Sequence, residues 1–299
     1  MLLCDEYLMP DTLDEVFAMM ARHAGAYRVV AGATDFLPWA REGRAGDVHQ
    51  PVLIDISRVR ELCGHTVRDG RVRLGANVTF ADFLADRELR AQLPVMPFVS
   101  VWFADDQIRE QATLAGNIVN ASPAADGTPA MVALDAALVL QSEKTGARTV
   151  KLTDFVTGPG ETVLADGELV TAIECDALPG YGAAFEKVGH RRSLVISTVC
   201  VACLVKLDAA AESFEDVRLG LAAVGPVPSR LTDIEDFLIG KPADAAAMAE
   251  AARMPLDRVQ SRTRQDYRRD VLGSFIERAL LDAVADFGAG VSRKEARHA

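Results

Sequence analysis

A chain of 299 residues with 49% hydrophobic positions is long enough to bury a sizeable core, and its length predicts two or three domains. The formal net charge of −11 argues against nucleic acid and anionic membranes as partners, since both attract clustered Lys and Arg. No uncharged apolar run approaches about 18 residues, and the acidic Asp5 and Glu6 do not suit a secretory signal, so we expect a cytoplasmic protein without a membrane span.

The first half of the chain predicts alternating helices and strands. Thr12 followed by Glu15 is typical of a helix N-terminus, and this helix should end near Gly25. Next come a strand at 28–31, a helix at 36–42, strands at 52–56 and 72–75, helices at 80–86 and 129–134, and strands at 137–141 and 169–174. This half is therefore predicted to be mixed α and β.

The pattern breaks near residue 178, where Gly and Pro interrupt it. Beyond the break we predict strands at 183–188, 197–207 and 217–224, and helices at 229–239, 244–252 and 264–287. Strands followed by a helical layer predict an α+β domain. The predicted division is a domain at 1–177 with subdomains at about 1–57 and 58–177, a C-terminal domain at 178–287 and a flexible tail at 288–299.

Five cysteines, an odd number scattered along the chain, fit reduced thiols better than a disulfide framework. Cys200 and Cys203 have the Cys-x-x-Cys spacing of some metal and redox sites. They lie, however, in the apolar run 199–205, which is typical of a buried strand, and no second pair completes a four-ligand set. The five histidines form no metal-ligand pattern either, so we predict a structural role for both cysteines and no metal site.

Two stretches carry candidate chemistry. In 29–35 a strand runs into small residues around Gly32, so that backbone N–H groups could approach a phosphate, although an ordinary strand-to-helix turn has the same composition. In 111–127 a dense set of Gly, Asn, Ser, Thr and Asp offers many hydrogen-bonding groups to one extended ligand. The alternative for this second stretch is a loop that satisfies its own polar groups.

Together these stretches resemble the two signatures of the FAD-binding medium subunits of the xanthine dehydrogenase and carbon monoxide dehydrogenase family. An Ala-Gly-Gly-Thr/His-type turn matches 31–34, and a Thr/Ser-x-Gly-Gly-Asn-x-x-x-x-Ser-Pro-x-x-Asp loop matches 113–126. The resemblance extends from about residue 10 to about residue 285 and includes 53–57 and 72–76.

The resemblance implies an α+β fold with a two-subdomain FAD-binding domain of the vanillyl-alcohol oxidase type, followed by a C-terminal domain with a small sheet and helices that helps to close the site. By the same resemblance, the pyrophosphate side is formed by Val30, Ala31, Gly32, Ala33, Thr34, Asp35 and Phe36. The flavin and linker side is formed by Phe103, Ala104, Ile108, Ala112, Thr113, Gly116, Asn117, Asn120, Ala125, Asp126, Val170 and Lys187.

Three positions depart from the family pattern. Ala33 and Ala115 each replace a signature glycine, which costs about 1 kcal/mol or more if either position requires a positive φ. Val195 replaces the aspartate of a family Arg-Arg-x-x-Asp-Ile-Ala stretch, so a local ion pair of the family should be missing here. The cysteine-rich insertion that holds an extra four-iron cluster in some relatives has no counterpart in this sequence.

The function that the resemblance implies is electron transfer within an assembly. A large partner subunit would carry the molybdenum cofactor and a small one two 2Fe-2S clusters, in a heterotrimer or its dimer, and the FAD held here would pass electrons to an external acceptor. No residue of this chain then needs to act as a general acid or base, and His190 is the one histidine expected near the cofactor.

Two other functions remain open. A free-standing flavoenzyme of the vanillyl-alcohol oxidase type should show an acid or base in a substrate pocket, and none is evident. A scaffold that has lost FAD is disfavoured by the retained signature residues Gly32, Thr34, Gly116, Asn117, Ser122 and Asp126.

Overall fold

The computed structural model describes residues 2–41, 48–191, 193–261 and 263–289. Its strands are β1 (Leu2–Leu3), β2 (Glu6–Leu8), β3 (Tyr27–Val30), β4 (Val48–His49), β5 (Val52–Asp55), β6 (His65–Arg68), β7 (Arg71–Gly75), β8 (Ala137–Ser142), β9 (Gly146–Lys151), β10 (Val156–Gly158), β11 (Glu161–Thr162), β12 (Leu169–Asp176), β13 (Gly182–Val188), β14 (Val199–Leu207), β15 (Phe214–Ala222) and β16 (Ser229–Arg230).

The α-helices are α1 (Leu13–Arg22), α2 (Phe36–Arg41), α3 (Asp82–Ala85), α4 (Arg87–Gln92), α5 (Met96–Trp102), α6 (Asp106–Arg109), α7 (Leu114–Val119), α8 (Gly127–Ala133), α9 (Leu152–Phe155), α10 (Thr232–Leu238), α11 (Ala245–Ala251) and α12 (Gln265–Ala289). Short 3-10 helices occur at Arg60–Leu62 and Met254–Arg258. This mixture confirms the predicted α+β class.

A small parallel sheet in the order β2-β5-β3 places the first candidate loop. Its central strand β5 is apolar in three of four positions and buried throughout, as expected for a parallel strand covered on both faces. Helix α1 connects β2 to β3, and the Thr12 side chain accepts a hydrogen bond from the Glu15 backbone N–H at its start. Strand β3 therefore ends at Val30, where the predicted phosphate loop begins.

A five-stranded antiparallel sheet in the order β6-β7-β12-β8-β9 supports the second candidate loop. The predicted helix at 80–86 is shorter in the structure, since α3 begins only at Asp82. The reason is tertiary, because the Phe80 N–H donates to Ala112 O at 3.1 Å and Thr79 forms a bridge with Thr113. Residues 79–80 are thus fixed against the start of the second loop.

The C-terminal strands form an antiparallel sheet in the order β13-β14-β15-β16, and α12 packs across β13 and β14. The predicted helix at 229–239 is wrong at its start. Ser229–Arg230 form β16 and pair with Leu221 and Gly220 of β15, and the helix begins at Thr232. Pairing with a neighbouring strand decides this segment, and helix-type periodicity does not reveal such pairing.

Helix α12 confirms the predicted long C-terminal helix and continues through Gly288 and Ala289, so the predicted flexible tail does not begin at residue 288. The rest of that predicted tail, 290–299, lies outside the described residues. Within the described ranges, neither α12 nor any other helix is long and apolar enough to cross a membrane.

Cys200 and Cys203 both lie in β14 and are fully buried, as predicted. Because side chains alternate across a strand, residues three apart face opposite sides of the sheet. Cys200 accordingly packs in the hydrophobic core that also contains residues of β12. Cys203 packs in a second hydrophobic core, which contains residues of α12. The Cys-x-x-Cys spacing therefore does not bring the two thiols to one face.

Candidate cofactor site

A cavity of about 850 Å³ lies where the two candidate loops and the segment before β14 meet. This volume falls within the range of about 300–1,000 Å³ that is usual for small-molecule and cofactor sites. Its lining includes seventeen of the nineteen predicted site residues, namely Val30, Ala31, Gly32, Ala33, Thr34, Asp35, Phe36, Phe103, Ala104, Ile108, Ala112, Thr113, Gly116, Asn117, Asn120, Ala125 and Asp126.

The first loop, residues 31–35, exposes backbone donors. Within the described part of the chain, the N–H groups of Gly32, Ala33, Thr34 and Asp35 donate to no protein acceptor. Successive free N–H groups of this kind form a concave site that suits a phosphate. Gly32 is required by packing, because a Cβ there would stand 1.9 Å from the Gln111 carbonyl oxygen. The two loops therefore touch backbone to backbone beside the cavity.

The two alanines that replace signature glycines behave differently. Ala33 has a φ of +53°, the left-handed region that disfavours a side chain, whereas Ala115 is buried within α7 without a positive φ. The energetic cost of a side chain at a positive φ, which the sequence predicts for either alanine, therefore applies to Ala33 and not to Ala115.

We expect Ala33→Gly to raise the free energy of unfolding by about 0.5–1 kcal/mol. Relief of left-handed strain favours the variant by about 1–2 kcal/mol, and the greater freedom of glycine in the unfolded chain offsets about half of that. Thermal unfolding of the FAD-free chain measures the change. The matched control is Ala115→Gly, where the same substitution within a helix should lower stability. A destabilised Ala33→Gly variant would contradict the strain assignment.

The second loop, residues 111–126, is held partly by its own side chains. Thr113 Oγ1 accepts the Gly116 N–H at 3.0 Å and caps α7, and Asn117 Oδ1 accepts the Gly127 N–H at 3.0 Å. The alternative of a self-satisfied loop is thus correct for part of it. The Asn117 amide nitrogen and the Asn120 side chain make no hydrogen bond within the described residues, and both residues line the cavity. These polar groups are available to a ligand.

An aromatic wall closes another side of the cavity. Phe103 stacks on the buried Phe80 with ring centroids 3.8 Å apart and an angle of 13° between the rings. Arg109 Nη1 donates to Phe103 O at 2.7 Å, and Ser193 Oγ donates to Ala104 O at 3.1 Å. The ring of Phe103 is therefore fixed before any ligand arrives, which suits the flat face of an aromatic cofactor.

Asp126 lines the cavity, but both of its oxygens face the C-terminal strands. Lys187 Nζ donates to Asp126 Oδ2 at 2.6 Å, and Ser197 Oγ donates to Asp126 Oδ1 at 2.5 Å. Burial raises the pKa of Asp126, and the lysine charge and the two hydrogen bonds oppose that shift. Since the carboxylate has a lysine charge beside it, we assign an ion pair to these two residues.

Two predicted site residues and His190 lie outside the cavity lining. Lys187 has a side chain only 1% exposed and stands behind Asp126, because its ammonium group pairs with that carboxylate. Val170 is buried in β12, the central strand of its sheet. His190 is exposed beyond the end of β13.

The cavity lining also contains residues that sequence reasoning left out of the site. These are Arg28, Val29, Trp39, Val119, Ser122, Ala124, Gly160, Arg191, Leu194, Val195 and Ile196. Ser122 belongs to the second signature and could have been included. Gly160 reaches the site through a long-range hydrogen bond from its N–H to Ala121 O, which has no local sequence signal. Two sequence signals indicate the last three, namely the apolar run at 194–196 and the departure of Val195 from the family stretch.

Known proteins match this chain along most of its length. The model of the FAD-binding domain in molybdopterin dehydrogenase matches residues 3–175, and that of the CO dehydrogenase flavoprotein C-terminal domain matches residues 183–283. The glyceraldehyde dehydrogenase medium chain of Sulfolobus acidocaldarius is 31% identical over 79% of this chain and 81% of its own length. The putative xanthine dehydrogenase FAD-binding subunit of Escherichia coli is 28% identical over 93% and 95%.

A solved structure agrees with these sequence matches. The chain is similar, with a TM-score of 0.86 and 26% identity, to a chain of carbon monoxide dehydrogenase from Hydrogenophaga pseudoflava, over 95% of this chain and 98% of that one. Family, relatives and fold thus agree with the cavity and its two loops. The chain therefore belongs to the family of FAD-binding medium subunits of molybdenum hydroxylases, the oxidoreductases of the xanthine dehydrogenase and carbon monoxide dehydrogenase type.

Proposed function

We propose that this chain binds one FAD non-covalently and relays electrons from the 2Fe-2S clusters of a partner subunit to an external acceptor, as part of a heteromeric molybdenum-containing hydroxylase. The observation that carries the proposal is the cavity in which two glycine-containing loops and an aromatic wall converge. Family membership supports the same cofactor. Bound flavin supplies the electron-accepting chemistry, and the protein supplies binding and orientation.

The proposed site map assigns one task to each wall of the cavity. The free N–H groups of residues 32–35 would hold the pyrophosphate. The polar side chains of Asn117 and Asn120 would bind the flavin and its linker, and Phe103 would pack against the flavin ring. No His, Cys or Tyr lies in the two loops to attach a flavin covalently, which supports a non-covalent cofactor.

We further propose the division into a domain at 1–177, with subdomains at about 1–57 and 58–177, and a C-terminal domain at 178–287, on a fold of the vanillyl-alcohol oxidase type. The parallel and antiparallel sheets support the two subdomains. The two family matches, which end at 175 and begin at 183, support the boundary.

The proposed partners are a large subunit with the molybdenum cofactor and a small subunit with two 2Fe-2S clusters, in a heterotrimer or its dimer. Two arguments support partners. Several relatives are named as a medium chain, which is one of several subunits. The second argument is family membership, because the two matching family models are a domain in molybdopterin dehydrogenase and a domain of the CO dehydrogenase flavoprotein.

The test of the cofactor assignment is the absorbance of the purified chain at about 450 nm, where oxidised flavin absorbs. We expect yellow protein that releases its flavin into the supernatant on acid precipitation. A colourless chain that takes up no added FAD would support the scaffold alternative, and colour that stays with the precipitate would overturn the non-covalent assignment.

Gly116→Val should weaken FAD binding at least about tenfold, or about 1.4 kcal/mol. Gly116 lines the cavity, and a Cβ there would stand 2.8 Å from Thr113 Oγ1, so a branched side chain disturbs both the cap of α7 and the ligand space. Cys203→Ala is the comparison, because this thiol is buried in the second core, beneath α12 and away from the cavity. Its truncation should lower stability by only about 1 kcal/mol and leave the affinity for FAD close to that of the wild type. Titration with FAD measures both, and equal losses of affinity would contradict the site map.

A further inference from the structure

Three walls of the cavity meet at one buried cluster, in which Asp126 lines the cavity while Lys187 and Ser197 lie behind it. Lys187 Nζ donates to Asp126 Oδ2 at 2.6 Å and to Trp102 O at 3.3 Å. Trp102 ends α5 and directly precedes the wall residue Phe103. Ser197 Oγ donates to the other oxygen of Asp126 at 2.5 Å and directly follows the apolar wall segment 194–196.

The cluster connects parts of the chain that are distant in sequence. Asp126 belongs to the second loop, whereas Lys187 and Ser197 belong to β13 and to the segment that enters β14. All three are buried, and neither Lys187 nor Ser197 lines the cavity. A buried charge is strongly destabilised when its partner is removed, so the pair can persist only while both segments stay together.

A second set of contacts fixes the same junction from outside. Arg268 of α12 donates to the carbonyl oxygens of Thr198 and Ala223. The Ala223 N–H donates in turn to Pro123 O of the second loop at 2.8 Å. Helix α12 thereby holds two segments against the second loop. One is the segment of Ser197 and Thr198 that enters β14, and the other is Ala223 at the end of β15.

We propose that Asp126, Lys187 and Ser197 form a latch through which the C-terminal strands set the shape of the FAD cavity. This inference rests on the proposed FAD function. In it, Lys187 acts on the cavity through its ion pair with Asp126. The affinity for FAD then depends on Lys187 and Ser197, which lie outside the cavity lining, because they align the second loop, Phe103 and the segment 194–196 with one another.

The first measurement is FAD affinity, from titration of the apoprotein. Ser197→Ala removes one hydrogen bond and leaves the ion pair in place, so this variant folds even if Lys187→Met does not. We expect affinity to fall about fivefold to tenfold in Ser197→Ala and further in Lys187→Met, while Ser197→Thr, which keeps the hydroxyl, stays close to the wild type.

The matched controls are Ser142→Ala and Lys206→Met. Ser142 is a buried serine whose hydroxyl serves only the turn after β8, and Lys206 is a lysine of β14 that pairs with Glu215 at the surface. Both should bind FAD as the wild type does. Wild-type affinity in Ser197→Ala and Lys187→Met, or equal losses in the two controls, overturns the latch.

The second measurement is amide hydrogen exchange of the FAD-free chain, which needs no cofactor. Ser197→Ala should accelerate exchange together in 122–126 and in 193–196, and Ser142→Ala should change neither segment. Unchanged exchange in both segments overturns the latch. A wild-type chain that binds no FAD would instead defeat the proposed function, and the exchange experiment would still decide whether the latch holds the segments together.

Discussion

Gly32→Ala should lower the affinity for FAD by at least about 100-fold, equivalent to about 2.7 kcal/mol. Adding a single methyl group places a carbon 1.9 Å from the Gln111 carbonyl oxygen and 2.5 Å from its carbonyl carbon. Both obstructing atoms are backbone, so a rotamer change cannot relieve the overlap and the two loops must separate. Their separation moves the free N–H groups of residues 32–35 away from Asn117 and Asn120 across the cavity.

The matched control for this substitution is Gly225→Ala, where the nearest atom to an added Cβ is 3.9 Å away and φ is not positive. Flavin content after purification and titration with FAD report both variants. Gly225→Ala should retain FAD as the wild type does. Normal flavin content in Gly32→Ala would show that the two loops need not touch for FAD to bind.

Gly220→Ala should lower the midpoint of thermal unfolding by about 5 °C, which corresponds to about 3 kcal/mol of overpacking. A Cβ at Gly220 would stand 1.8 Å from the Pro129 carbonyl oxygen. Gly220 lies in β15 and Pro129 in α8, so the substitution pushes the C-terminal sheet away from the helix that follows Asp126.

The same Gly225→Ala variant controls for the loss of a glycine in the C-terminal sheet region. Thermal unfolding is measured without and with excess FAD, which separates lost packing from lost stabilisation by bound FAD. If packing of α8 on β15 is the cause, the midpoint should fall in both conditions. An unchanged midpoint in Gly220→Ala would contradict this close contact.

Local sequence signals predicted the elements that depend on local chemistry. Thr12 and Glu15 mark a helix start because a capping hydroxyl serves the nearby N–H groups, and β14 follows from an unbroken apolar run. The two loops around Gly32 and Gly116 were predicted because small and polar residues are concentrated there and because the family signatures match. Seventeen of the nineteen predicted site residues consequently line one cavity.

Long-range pairing could not be predicted in the same way. The start of α10 was misplaced because β16 forms only against β15, and Gly160 reaches the site through its hydrogen bond to Ala121. The ion pair of Lys187 with Asp126 joins residues 61 positions apart in sequence, so it could not be predicted from local spacing. Charges buried at such junctions have partners that sequence spacing does not reveal.

The central claim, a flavin subunit that receives its electrons from a partner, is tested most directly by anaerobic stopped-flow absorbance at about 450 nm. The intact complex and the isolated chain loaded with FAD are each mixed with the complex's organic substrate. The relay model predicts that the flavin of the intact complex bleaches and that of the isolated chain does not. Rapid bleaching of the isolated chain would contradict the relay and establish a free-standing flavoenzyme instead.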